Sequence, residues 1–109
     1  MSWYEFKDPV VAALGLSHDA AHVVLGSMAF ALVFFFLRTR AMAAALAWLA
    51  VLALELLNEI GDAVDWLGWT GSVNWPETVK DLLLTMLLPT AALLILRMLR
   101  RRSLSASVN

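Results

Sequence analysis

The sequence has 109 residues, of which 61% are hydrophobic, and a formal net charge of −1. A soluble domain of this size cannot bury so much apolar side chain, because small domains bury only part of their surface. A soluble globular protein is therefore excluded, and lipid must solvate part of the chain. Cysteine is absent, which excludes disulfides and thiolate metal sites.

The N-terminal segment, residues 1–17, is expected to lie at the membrane interface. It has neither the basic region nor the small-residue cleavage site of a signal peptide, so we expect it to be retained. Asp8-Pro9 is expected to start a short surface helix that ends near Gly15. Ser17 is expected to cap the helix that follows.

Three apolar stretches follow, at residues 20–37, 41–60 and 82–96. A membrane span needs roughly 20 mostly apolar residues, and in lipid the backbone must satisfy its own hydrogen bonds. Each stretch is therefore predicted to be a transmembrane helix. The predicted fold is all-α, an integral membrane three-helix bundle forming a single domain over residues 1–109.

The connections differ in length and composition. The link Arg38-Thr39-Arg40 is short, which predicts a helical hairpin. Residues 62–80 are predicted to be a tryptophan-rich loop, in which Asn74 caps the third helix and Glu77 is its returning partner. Pro89 is expected to bend that helix. The basic tail, residues 97–109, is expected to fray from Ser103 onward.

Charge predicts the orientation in the membrane. All six arginines flank one face of the predicted bundle, whereas all nine acidic residues lie toward the other. The positive-inside rule then places the C-terminus in the cytoplasm and the N-terminus outside an inner, or plasma, membrane. The residues expected at the lipid interface are Trp66, Trp69, Trp75, Arg38, Arg40, Arg100, Arg101 and Arg102.

The arginines also give the depth of the polar residues, because a helix rises about 1.5 Å per residue. His22 lies sixteen residues before Arg38, Glu55 fifteen after Arg40, and Asp81 sixteen before Arg97. The three helices should therefore bring these side chains to one level, about 22–24 Å from the inner boundary of a ~30 Å core. Asp19, Asn58 and Glu59 follow one turn further out, and then His18 and Asp62.

This polar cluster has several interpretations. It supplies carboxylates and imidazole suited to a divalent metal such as Mg, Mn or Zn, although no established metal, phosphate-loop or nucleophile motif is present. It is also compatible with a polar seam that pairs the helices and fixes their register, or with proton sensing. The candidate metal ligands, or acid and base groups, are Asp19, His22, Glu55, Asp62 and Asp81. The candidate supporting residues are Asn58, Glu59, Lys80 and Thr85.

The pattern Asp19-x-x-His22, then Glu55-x-x-Asn58 and later Asp81, resembles the VanZ-like small membrane proteins. In that family Asn58 would replace a glutamine, and Thr85 and Pro89 would stand where asparagine and glycine are common. The resemblance spans about residues 17–96. It implies a role in the cell envelope, linked in one branch to glycopeptide antibiotic resistance.

A second pattern, Glu55-x-x-Asn58-x-x-x-Asp62 followed by Lys80-Asp81, resembles the small three-span bacterial diacylglycerol kinases. That resemblance implies catalytic residues facing cytoplasmic ATP, whereas the arginines place this cluster outside. We therefore rank it below the VanZ-like resemblance.

The leading functional hypothesis is a VanZ-like membrane protein with a polar site at its outer face that binds a divalent metal or a lipid headgroup. One alternative is a non-catalytic accessory subunit of a larger membrane complex, docked through its tryptophans. Another is a phage holin, which so many acidic residues disfavour. Three short helices enclose little interior, so self-association or a membrane partner is expected, and no nucleic acid.

Overall fold

The computed structural model describes residues 2–108, and all their regular structure is helical. The helices are α1 (Trp3–Ala13), α2 (His18–Leu37), α3 (Ala43–Thr70) and α4 (Trp75–Val108). Three of them, α2, α3 and α4, are long and apolar enough to cross a membrane. The all-α prediction is confirmed, and the fourth helix, α1, packs against α3.

Helix α1 begins earlier than predicted. Ser2 and Glu5 form a reciprocal capping box, so the first turn starts at Trp3 and Pro9 lies inside the helix. The prediction that Asp8-Pro9 starts this helix was wrong, because the capping pair satisfies the free backbone donors six residues upstream. The helix ends near Gly15, as predicted.

Helix α3 extends ten residues beyond the predicted span and ends at Thr70. Gly71 terminates it with a φ of 77° and a backbone N–H bonded to Leu67. The prediction of a loop over residues 62–80 was therefore wrong. Residues 62–70 belong to α3, and only residues 71–74 separate it from α4.

The capping residues predicted at the N-termini of α2 and α4 are confirmed by the structure. Ser17 caps α2, because its hydroxyl accepts a hydrogen bond from the backbone of Ala20 at 3.1 Å. The Asn74 side chain accepts one from the backbone of Glu77 at 3.4 Å. Helix α4 continues to Val108, so the fraying predicted from Ser103 was wrong over the described residues, and Asn109 lies outside them.

The three long helices pack through small residues at their centre. Ala47 is completely buried between them, in a core cluster with Phe30, Val51 and Met86. A Cβ at Gly26 would lie 2.4 Å from the carbonyl oxygen of Thr85, so α2 and α4 approach as closely as glycine allows.

The outer surface of the bundle is apolar. Phe36, Leu83 and Leu57 expose 72%, 68% and 66% of their surface, and many other large apolar side chains are similarly exposed. Exposure on this scale is typical of helices that lie in a membrane. Polar side chains are instead buried at the end where α2 and α4 begin, and this end holds the candidate site.

Candidate polar site within the helical bundle

Five polar side chains are almost fully buried where α3 and α4 face each other. They are Glu55, Glu59, Asp62, Asp81 and Thr85, each between 4% and 6% exposed. The three on α3 are spaced i, i+4 and i+7 and therefore share one face, while the two on α4 are spaced i, i+4. Helical periodicity thus brings two polar stripes into contact.

His22 of α2 joins these stripes. Its Nδ1 lies 2.9 Å from the hydroxyl oxygen of Thr85 and 3.4 Å from Glu55 Oε1. Its Nε2 lies 3.4 Å from Asp81 Oδ2. One imidazole therefore contacts three side chains from two other helices. The structure brings together the three residues that the depth count had placed at one level.

Helix α1 adds a cation that the sequence analysis did not assign to the site. The ammonium of Lys7 pairs with Asp62 and also donates to Asn58 Oδ1 at 3.2 Å. Trp3 donates its indole N–H to the same oxygen at 2.9 Å. One signal in the sequence could have identified Lys7. Of the eight lysines and arginines, only Lys7 and Lys80 lie toward the face of the bundle where the acidic residues were predicted.

Further contacts hold α1 against α3. The backbone N–H of Tyr4 donates to Asp65 Oδ2 at 2.8 Å, and the Tyr4 ring lies 5.4 Å from the ring of Trp69. The Lys7 ammonium lies 4.5 Å from the Tyr4 ring centroid, within cation–π distance. Burial raises the pKa of Tyr4 to about 12, so the phenol beside Lys7 stays neutral at physiological pH.

Asp19 and Lys80 lie outside the buried group. The Lys80 ammonium contacts Asp19 at 3.0 Å and Glu77 at 3.1 Å. The side chains of Lys80 and Asp19 are about half exposed, at 44% and 55%. Lys80, a candidate supporting residue, therefore pairs outside the buried group, and the lysine that reaches this group is Lys7.

The acidic and histidine side chains form three overlapping groups whose ligand atoms lie within 4.8 Å of one another. One group contains His22, Glu55 and Glu59, and the second contains Glu59, Asp62 and Asp81. The third is partly exposed and contains Asp19, Glu77 and Asp81. The five candidate ligands are therefore divided among the three groups. Glu59, which was expected only as a supporting residue, belongs to both of the more buried groups.

Two oxygens in the cluster have no hydrogen-bond donor among the described residues, Glu55 Oε1 and Asp81 Oδ1. Both are buried, and a carboxylate oxygen can only accept. Buried acceptors are normally satisfied. Asp81 Oδ1 therefore points to a group that the described residues do not supply, whereas Glu55 Oε1 has the ion-pair contact with His22 and can accept a further hydrogen bond.

A cavity of about 410 Å³ opens beside His22 and Glu55, between α1, α2 and α3. Its polar end is formed by Lys7, His22, Glu55, Asn58 and Thr85. Most of the remaining wall is apolar and includes Phe6, Val10, Leu25, Ala29, Val51 and Leu54. A cavity of this size, with few polar groups at one end, is typical of small-molecule sites.

The residues predicted at the lipid interface lie toward the two ends of the bundle. Trp69 and Trp75 are 57% and 65% exposed near the acidic end. At the opposite end Arg100 donates to the backbone of Ala41 at 3.0 Å, which ties α4 to the link between α2 and α3. Their contact with lipid remains a prediction.

Searches of protein-family models, curated proteins and solved structures found no match to this chain. They therefore neither support nor exclude the VanZ-like or kinase-like resemblance. The inference of function has to rest on the geometry of the site.

Proposed function

We propose that this protein binds a lipid-like amphiphile whose headgroup carries a hydroxyl, in the cavity between α1, α2 and α3. Glu55 Oε1 carries this proposal, because it accepts no hydrogen bond from the described residues and has only the 3.4 Å ion-pair contact with His22. It belongs to a side chain that lines an otherwise mostly apolar cavity. The oxygen requires a donor, and a lipid hydroxyl supplies one. A phosphodiester headgroup without a hydroxyl or amine does not.

The other polar residues suit the same ligand. A hydroxyl oxygen can also accept a hydrogen bond, and the ammonium of Lys7 and the amide of Asn58 offer donors at the same end of the cavity. His22 lies beside Glu55 and can exchange a proton with a hydroxyl, so the pair has the composition of a general acid and base.

The apolar wall argues for a ligand that arrives through the membrane. Leu25 and Leu54 line the cavity and are also 46% and 56% exposed on the outer surface. In a lipid-embedded protein, a cavity walled by such residues is continuous with the acyl chains. An amphiphile can therefore place its headgroup at Glu55 while its chain remains among apolar side chains.

The setting that we propose is an inner membrane, with the cavity toward the outer face and the arginines in the cytoplasm. The VanZ-like resemblance is part of this proposal, since it implies a role in the envelope. It is supported by the contact of His22 with Glu55 and Asp81, three residues of the pattern on which it rests.

The test uses two photo-crosslinking lipids that carry the same diazirine in one acyl chain. Diacylglycerol has a headgroup hydroxyl, whereas phosphatidylcholine has no donor. In nanodiscs, diacylglycerol should label peptides containing Leu25 and Leu54 more strongly than phosphatidylcholine does. Glu55→Gln should weaken the diacylglycerol labelling about tenfold, because a hydrogen bond to a charged group, worth roughly 1.5–3 kcal/mol, is replaced by one to a neutral amide oxygen, worth roughly 0.5–1.5 kcal/mol.

Two leucines on α3 provide a matched control. Leu54→Trp fills the cavity and should abolish the preference, whereas Leu57→Trp, on a side chain that is 66% exposed and outside the cavity, should leave it unchanged. Equal labelling by the two lipids, or equal effects of the two tryptophans, would disprove the proposal. Phosphate transfer from ATP to the lipid hydroxyl would instead favour the kinase-like resemblance.

A further inference from the structure

We propose that Glu59, Asp62 and Asp81 hold a divalent cation with oxygen ligands, next to the lipid cavity. This site goes beyond the proposed lipid binding and does not depend on it. All three carboxylates are about 95% buried, and each offers an oxygen within 4.8 Å of the others.

The unpartnered Oδ1 of Asp81 is the observation that points to a ligand. Asp81 is 4% exposed, and no donor among residues 2–108 reaches this oxygen. Its other oxygen already faces His22 Nε2. A cation bound between Asp81 and its two acidic neighbours on α3 would satisfy an acceptor that is otherwise buried without a partner.

The charge of the buried cluster supports the same conclusion. Four carboxylates are buried together, those of Glu55, Glu59, Asp62 and Asp81. When all four are ionised, Lys7 and a protonated His22 supply two positive charges at most, which leaves two negative charges. Uncompensated buried charge is strongly destabilising, and one divalent cation would remove this excess.

The ligand set selects the class of metal. Three carboxylates without a thiolate suit hard cations such as Ca²⁺, Mg²⁺ or Mn²⁺. Three carboxylate oxygens that all lie within 4.8 Å of one another can reach one such cation. Ca²⁺ is the probe of choice, because its coordination geometry is the most flexible of the three.

The experiment is calorimetric titration of the purified full-length protein in detergent with Ca²⁺ alone and no added lipid probe. One Ca²⁺ should bind per chain. Asp81→Asn should weaken binding at least tenfold, and circular dichroism should show unchanged helix content. If Asp81→Asn fails to fold, a Ca²⁺-dependent rise in the melting temperature of the unmodified protein replaces it as the deciding measurement.

Glu77→Gln is the matched control, because Glu77 lies one turn from Asp81 on α4 in the partly exposed group. It should bind Ca²⁺ like the unmodified protein. Loss of binding in Glu77→Gln would place the ion in the exposed group and overturn the proposal. A protein that binds no Ca²⁺ and shows no thermal shift would also overturn it, and protons would then neutralise the cluster. Neither result would alter the lipid labelling expected for the cavity, so the two proposals can fail independently.

Discussion

Asp62 is buried on α3, and its cationic partner is Lys7 of α1. The pair is largely shielded from solvent, because only 15% of the lysine side chain and 5% of the aspartate side chain are exposed. Removing one member of a buried pair leaves an uncompensated charge. We therefore expect Lys7→Met to lower the free energy of unfolding by about 3 kcal/mol, measured by denaturant titration in detergent.

The double variant Lys7→Met with Asp62→Asn should regain most of that loss, because neither member of the pair then leaves its partner's charge behind. Lys80→Met is the control. Lys80 and Asp19 are about half exposed, and solvent screens such a pair, so stability should change little. Equal destabilisation by the two lysine variants would contradict the assignment of Lys7 to a buried pair.

At the same scale, the sequence predicted the contacts between spans better than the contacts of α1. Counting the helical rise from the arginines placed His22, Glu55 and Asp81 at one level, and they lie together in the structure. Lys7 could not be placed in this way, because its distance from Asp62 depends on how α1 folds back across α3. No local pattern encodes that contact between residues 55 positions apart.

At the scale of helices, docking of α1 depends on the absence of a side chain at Gly61. A Cβ at this position would lie 2.8 Å from Cδ1 of the Trp3 ring. Gly61→Ala should therefore displace α1, break the hydrogen bond from Trp3 to Asn58 and cost about 1–3 kcal/mol of stability. Hydrogen exchange measured by mass spectrometry should then increase throughout α1.

Gly68 provides the control on the same helix, because nothing lies within 4 Å of a Cβ built there. Gly68→Ala should stabilise the protein by about 0.5–1 kcal/mol, since alanine is a better helix former than glycine. The two substitutions are chemically identical and should have opposite signs. Stabilisation by both would show that α1 does not pack against Gly61.

The C-terminal end of α3 was predicted wrongly because it, too, depends on contacts with α1. Hydropathy locates the part of a helix that lipid can surround, and this part was expected to end at Ile60, just before Gly61 and Asp62. The backbone remains helical to Thr70 because Asp62 and Asp65 find partners on α1. An apolar run therefore predicted the existence of the span but not the length of its helix.

At the scale of the whole molecule, the described chain measures 61 Å along its longest axis. Helix α4 alone, with 34 residues, is about 51 Å long, well beyond a hydrocarbon core of ~30 Å. If α4 spans a membrane, part of it therefore projects beyond the hydrocarbon core. Its C-terminal part carries Arg97, Arg100, Arg101 and Arg102, which suit the cytoplasmic surface and its anionic lipids.

This orientation can be tested by cysteine labelling, because the chain has no cysteine of its own. Ser72→Cys lies in the short connection between α3 and α4 at the acidic end, and Ser105→Cys lies beyond the arginines. If the positive-inside rule holds, a membrane-impermeant maleimide should label Ser72→Cys in intact cells and Ser105→Cys only after permeabilisation. The reverse pattern would place the lipid cavity and the acidic cluster on the cytoplasmic side. A kinase-like reaction with ATP would then become accessible, and the proposed role at the outer face would have to be abandoned.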